Sequence, residues 1–235
     1  MPLVKLSDLS KTYQMGDITI HALKNVNLEI EEGTFVSIVG PSGSGKSTVL
    51  NLIGCLDKPT SGSIMVIDRE VSHLNKKQRA HFRGEHLGFV FQNFNLIPVL
   101  TVYENVEYPL IMVKNEDKRQ YNSLILELLD AVGVLEQKDK FPHQISGGQM
   151  QRVAVARALV TRPKMVIADE PTANLDHDTA YKIINLMKKM KEQKNTTFIF
   201  STHDPKIIGE AEIIYTLEDG MIQSKEDRRR HVQNR

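Results

Sequence analysis

The sequence has little that would place it outside a cell or across a membrane. It holds a single cysteine, Cys55, so no internal disulfide can form and a reducing compartment fits. No apolar run approaches the ~18–20 residues that a membrane-spanning helix needs. The opening "MPLVKLSDLSKTY" has no apolar signal-peptide core. Lys and Arg number 30 against 29 Asp and Glu, so no charge imbalance points to nucleic acid. Internal repeats, low-complexity tracts and metal-ligand spacing of the histidines are also missing. What remains is a chain of 235 residues, 40% hydrophobic and 25% charged, ordinary for a globular protein with a sizeable core.

The patterning changes along the chain. "LVKLSDLSKTY" and "IHALKNVNLEI" alternate apolar and polar residues, as half-buried antiparallel strands do. "TFVSIVG" reads as a more buried strand ending at Gly40, with a helix from Gly45 to Leu56 after it. "GSIMVI" and "HLGFVFQ" read as further strands. Through residues 93–159 the spacing becomes helical. "TVYENVEYPLIM" and "KRQYNSLILELLDAVGV" carry it, the latter placing Leu124, Leu128 and Leu129 on one face with Ile125 and Val132. This predicts a helical subdomain inserted into an α/β core formed by residues 1–92 and 160–235. The core resumes with "KMVIADE", a helix around 180–193, the strand "TTFIFST" and then "EIIYTLEDGMI". Strands alternating with helices predict a largely parallel sheet covered on both faces. The tail "KEDRRRHVQNR" lacks an apolar pattern and is expected to be solvated.

Two motifs carry chemistry at once. "GPSGSGKST" supplies Gly40, Pro41, Ser42, Gly43, Ser44, Gly45, Lys46, Ser47 and Thr48 between a buried strand and a helix, the pattern G-x-x-x-x-G-K-[ST]. Glycines let backbone N–H groups curl around phosphate oxygens, and the helix N-terminus adds its positive end. Lys46 is expected on the β- and γ-phosphates and Ser47 on Mg²⁺. "MVIADE" ends a second apolar strand in two acids. Asp169 is expected in the Mg²⁺ shell and Glu170 beside the γ-phosphate, where a carboxylate orients and deprotonates water.

A second glycine pair raises a different question. In "HQISGGQMQRVAVARALV", Ser146 and Gln149 have the spacing of a capping box around a helix start. Gly147 and Gly148 are not required for that. They leave backbone N–H groups open to a ligand, so this helix end reads both as a capped start and as an anion site.

"ISGGQ", lying between that phosphate loop and "VIADEPTANLDHDTA", resembles the nucleotide-binding subunit of ATP-binding-cassette (ABC) transporters over nearly the whole chain. The resemblance implies a P-loop NTPase (RecA-like) core with an N-terminal antiparallel β subdomain and an inserted α-helical subdomain. It implies ATP and Mg²⁺ as cofactors. It makes Ser146, Gly147, Gly148 and Gln149 the signature, Gln92 a loop glutamine on Mg²⁺, and His203 in "STHD" a switch histidine on the γ-phosphate. Tyr13 matches the aromatic that stacks on adenine. Asp176 in "ANLD" matches a residue of the dimer interface, where it also sits as a helix cap. Ile145 stands where the family usually has Leu. In this family two copies pair head to tail, so that each ATP lies between one phosphate loop and the other copy's signature.

"NLIGCLDKPTSG" and "EHLGFVFQNFNLIPVLTVYENVEYPL" resemble the subgroup of macrolide exporters, lipoprotein-release ATPases and the cell-division ATPase. That implies an integral membrane permease as partner, driven by transmitted force, with the ATPase held at the cytoplasmic face of the inner membrane. Segment 94–103, with Phe94, Leu96, Ile97, Val99 and Leu100 around Pro98 and Tyr103 at its end, is the expected permease contact. The alternative is a signalling ATPase that switches a membrane partner controlling extracytoplasmic enzymes. No guanine-reading N-K-x-D motif and no zinc insertion is present.

Overall fold

The computed structural model describes residues 1–114 and 121–229. Residues 118–120 of the predicted "KRQ" helix start and 230–235 of the predicted solvated tail lie outside them. Strands β1 (Val4–Met15) and β2 (Ile18–Ile30) form a hairpin with Met15 opposite Ile18. Gly16, at φ +59°, makes the tight reversal. β4 (Ser61–Val66) pairs on the other edge of β1, and β5 (Arg69–Glu70) extends it, giving an antiparallel sheet in the order β2-β1-β4-β5.

The second sheet contains β3 (Phe35–Val39), β6 (Leu87–Val90), β7 (Met165–Asp169), β8 (Thr197–Ser201), β9 (Ile213–Glu218) and β10 (Met221–Asp227), in the order β10-β9-β3-β8-β7-β6. All neighbours are parallel except the terminal β9–β10 pair. The stretch "EIIYTLEDGMI" thus resolves into a hairpin. Its turn residues Asp219 and Gly220 both have positive φ, +48° and +78°, the conformation an Asp-Gly pair favours between two strands. The solvated stretch expected from Lys225 begins inside a strand: Lys225 and Glu226 are exposed there. Lys225, Glu226 and Asp227 belong to β10, and Arg229 then ion-pairs with Asp227 and Glu31.

Successive residues of the parallel strands point to opposite faces. Phe35, Val166, Ala168, Phe198 and Phe200 pack into one buried cluster, while Val36, Ile38, Met165, Ile167 and Ile199 pack into another. The second cluster joins the antiparallel sheet and α1 (Lys46–Ile53). The first takes in α3 (Val102–Lys114), α4 (Asn122–Ala131), α5 (Gly147–Leu159) and α6 (His177–Lys194). The helical segment therefore shares its core with the sheet. α6 shows why it forms: Asp176 accepts a hydrogen bond from the Thr179 N–H, and Ala180, Ile183, Ile184 and Met187 fall on one buried face. α2 (Lys76–His86), not anticipated from the sequence, starts with a full capping box from Asn75 and Gln78 but buries Phe82 alone. α7 (Pro205–Gly209) is short.

The register places the chemistry. Ile38 lies opposite Ser201, Ser201 opposite Asp169, and Ala168 opposite Val90. The carboxyl ends of β3, β8, β7 and β6 thus form one row, and Gly40, His203, Glu170 and Gln92 follow directly after it. A crevice beyond the carboxyl ends of parallel strands is where such sheets bind ligands.

Candidate nucleotide site

That crevice is an open cleft of about 710 Å³. Ser42, Gly43, Gly45, Lys46, Ser47 and Thr48 line one side, and Gln92, Asp169, Glu170 and His203 line the other. The structure therefore gathers into one place residues that the sequence spreads from 42 to 203. It adds Ile20, His21 and Ala22 of β2, which no motif had singled out. Their only sequence signal is their position opposite Tyr13 and its neighbours in a predicted hairpin; Tyr13 pairs with Ile20.

The phosphate loop is glycine-dependent for reasons that differ by position. A Cβ on Gly40 would lie 1.9 Å from the Leu217 carbonyl oxygen, and one on Gly45 would lie 2.6 Å from the Ala22 carbonyl oxygen. Gly43 faces open space but needs φ +79°. The loop is thus pressed between β2 and β9. The β9–β10 turn adds a hydrogen bond, Gly220 N–H to the Ser44 carbonyl at 3.1 Å. Lys46 is buried, and its ammonium donates to the Gly40 and Pro41 carbonyls at 2.8 Å each, inside the curve of the loop. The Ser44 hydroxyl is buried without a partner.

Across the cleft, Ser201 Oγ donates to Asp169 Oδ1. Glu170 stands in a left-handed backbone conformation, φ +51°, held by its N–H bonding both the carbonyl and the hydroxyl of Ser201 at 3.2 Å. A non-glycine residue pays strain for that conformation, and such strain gathers at functional sites. Glu170 Oε1 lies 3.2 Å from His203 Nε2. The atoms are at ion-pair distance without hydrogen-bond alignment, and Glu170 Oε1 is buried with no hydrogen bond. Burial pushes the Glu170 carboxyl above its ordinary pKa, the charge of His203 partly opposing it. A carboxylate held this way is primed to take a proton.

Tyr13 stands at the rim, outside the lining of the cleft. Its hydroxyl donates to Asp57 at 2.9 Å, and the Lys11 ammonium covers one ring face at 4.7 Å from the centroid. Burial first, and then Asp57, raises the Tyr13 pKa, so the phenol stays neutral.

The signature is elsewhere. Ser146 caps α5: its hydroxyl accepts from the Gln149 N–H, while Gln149 Oε1 accepts from the Ser146 N–H at 2.8 Å. The capping box is present, and it uses the N–H groups of Ser146 and Gln149, not those of Gly147 and Gly148. Gly148 lies against the Asn174 carbonyl, where a Cβ would stand 3.2 Å away, and Gly147 lies near the Phe94 ring. None of the four signature residues lines the cleft that holds the phosphate loop. Asp176, also outside that lining, caps α6 with its carboxylate, and its bond to Thr179 lowers its pKa.

Residues 23–173 match the ABC transporter family. The chain belongs to the ABC transporter family. An AAA domain family also matches residues 142–209. The cassette is 46% identical over 233 residues to the uncharacterized ABC transporter ATP-binding protein MJ0796 of Methanocaldococcus jannaschii, covering 95% of this chain and 97% of that one. It is 40% identical to the lipoprotein-releasing system ATP-binding protein LolD of Bordetella pertussis, over 94% and 96% of the two chains. It is 41% identical to the macrolide export ATP-binding/permease protein MacB of Syntrophobacter fumaroxidans, over 95% of this chain but 31% of that longer protein. A dimeric structure of the MJ0796 cassette in a post-hydrolysis state, bound to ADP and Pi, superposes with a TM-score of 0.93 at 46% identity, covering 96% and 99% of the two chains. The P-loop NTPase fold and the ATPase activity of the ABC cassette follow. Among the described residues no helix is long and apolar enough to cross a membrane.

Proposed function

We propose that this ABC cassette works as a head-to-tail homodimer that hydrolyses ATP between its two copies and drives a separate membrane permease. One observation carries the reading. The cleft gathers the phosphate loop with Gln92, Asp169, Glu170 and His203, yet the glycine-containing start of α5 lies outside it. A second copy would bring its Ser146, Gly147, Gly148 and Gln149 to the open side of the cleft. The dimeric state of the MJ0796 cassette supports this.

In the proposed site Lys46 and the phosphate-loop N–H groups hold the phosphates, and Tyr13 offers its uncovered ring face to adenine. The donor set fits Mg²⁺: the Ser47 hydroxyl, the Gln92 amide oxygen and the single carboxylate of Asp169 are all hard oxygens in one cleft. The ion would neutralise charge on the β- and γ-oxygens. Glu170 orients the attacking water and takes its proton. His203 donates to the γ-phosphoryl oxygens as charge builds on them. Asp176 would lie at the dimer interface while it caps α6.

The permease reading is supported by the likeness to LolD and MacB, and it places the cassette at the cytoplasmic face of the inner membrane, driven by closure and reopening of the dimer. The expected contact segment divides on inspection. Leu96 packs against the core, whereas Val99 is 77% exposed. An apolar groove of about 310 Å³ lies between α2, β6, α3 and α5, lined by Phe89, Phe91, Pro109 and Val113 among others, and Asn95 of the expected segment reaches it. We place a permease segment there. The test is ATP-driven dimerisation of purified Glu170→Gln protein. A monomer at saturating ATP would overturn the homodimer.

A further inference from the structure

Arg157 makes an arrangement that the ATPase cycle described so far does not use. It projects from α5, whose first turn carries the signature, and reaches the chain just after Gln92. Nη1 donates to the Asn95 carbonyl at 2.5 Å and Nη2 to the Phe94 carbonyl at 2.6 Å. Among the described residues it forms no ion pair. Burial lowers the guanidinium pKa to about 10, so the cation is held in a desolvated place by carbonyls alone.

The two carbonyls belong to an unusual backbone. Phe94 and Asn95 both have positive φ, +58° and +49°, which costs energy in non-glycine residues. Two consecutive left-handed residues turn their carbonyls toward the fork, whose parallel N–H groups fit such a pair. The Phe94 ring also approaches Gly147 at the start of the same helix. Phe94 thus meets α5 at two places, with its carbonyl at Arg157 and its ring near Gly147. Asn95 and Arg157 both line the apolar groove as well.

We propose that Arg157 is a positioning residue that locks the Gln92 loop to the signature helix, so that the two move as one body. This rests on the head-to-tail reading above. Gln92 faces the nucleotide of its own chain, and Ser146 faces the nucleotide of the other. The Arg157 fork is then the mechanical link between the two ATP sites of the dimer. A shift of Gln92 on nucleotide binding is passed along α5 to the opposite site, and the groove feels it through Asn95.

The test is a double-mutant cycle on ATP-driven dimerisation, in the Glu170→Gln background, followed by sedimentation at increasing ATP. Arg157→Lys keeps the charge but loses the planar fork. Gln92→Ala removes the nucleotide-facing end. Each alone should raise the ATP concentration for half dimerisation about fivefold or more, and the double variant should be no worse than the weaker single, since contacts in one linkage are not additive. Monomer affinity for a fluorescent ATP analogue should change less than about twofold in Arg157→Lys, which a general loosening of the fold would not allow. Singles without effect, or effects that multiply, overturn the proposal. If Arg157→Lys does not fold, Asn95→Gly loosens the same junction with the core intact, and the same cycle is run with it. Ser146→Arg is the control. If it dimerises with ATP, the head-to-tail reading fails and this inference with it. If it stays monomeric while Gln92 and Arg157 act independently, only this inference fails.

Discussion

Glu170 and His203 stand 3.2 Å apart, with one member buried and the other open. The Glu170 side chain is 13% exposed and that of His203 59%. The carboxylate is the one held in strained backbone and lifted in pKa, while the imidazole is exposed along the cleft. In the proposed mechanism the pair would divide the work between a held base and an exposed donor.

Glu170→Gln should abolish turnover and stabilise the nucleotide-free fold. A carboxyl whose pKa is raised on folding binds its proton more tightly folded than unfolded. Its contribution to stability is fully present below the ordinary carboxylate value of 4.5 and is lost as pH rises through the raised folded value. The amide carries no such penalty. Thermal melting across pH checks this: Glu170→Gln should melt above the parent at neutral pH, with the gap closing in acid. A gap independent of pH would contradict it.

His203→Ala should lower kcat about a hundredfold, the scale for losing one donor to developing oxyanion charge. It should also move the acid limb of the pH–rate profile upward, because His203 holds the Glu170 pKa down. A lower rate with an unmoved acid limb would separate the two residues.

Tyr13→Ala should weaken nucleotide binding by up to about tenfold, and Tyr13→Phe should lose far less, because stacking uses the ring rather than the hydroxyl. Fluorescent-nucleotide titration distinguishes them. Equal losses would make the bond to Asp57 the point of Tyr13.

Ser146→Ala should cost about 1 kcal/mol of stability through the lost cap, while Ser146→Arg should spare ATP binding by the monomer and block dimerisation. Loss of monomer binding in a folded Ser146→Arg protein would put the signature at its own chain's nucleotide.

Motifs whose chemistry is local were legible. The phosphate loop, the Asp169–Glu170 pair and the Ser146 capping box each need only a few adjacent residues, and each stands where its spacing put it. The sheet was legible too, because a parallel strand buried on both faces reads as an apolar run. α2 escaped because one buried Phe82 gives it no apolar stripe. The Arg157 fork escaped because the carbonyls it donates to are not on its own helix: they lie 62 and 63 residues away. Leu96 and Val99 look alike in sequence, and only packing tells the core residue from the exposed one.

The clasp behind the phosphate loop bears on synthesis. Gly40 and Gly45 fit only against Leu217 and Ala22, and Ser44 is tied to Gly220. The loop at 40–48 emerges early, but its rear wall is made from residues near 220. A ribosome must therefore deliver nearly the whole cassette before the loop can grip a nucleotide. Nucleotide binding by nascent chains should switch on late, as a check that the β9–β10 hairpin has arrived.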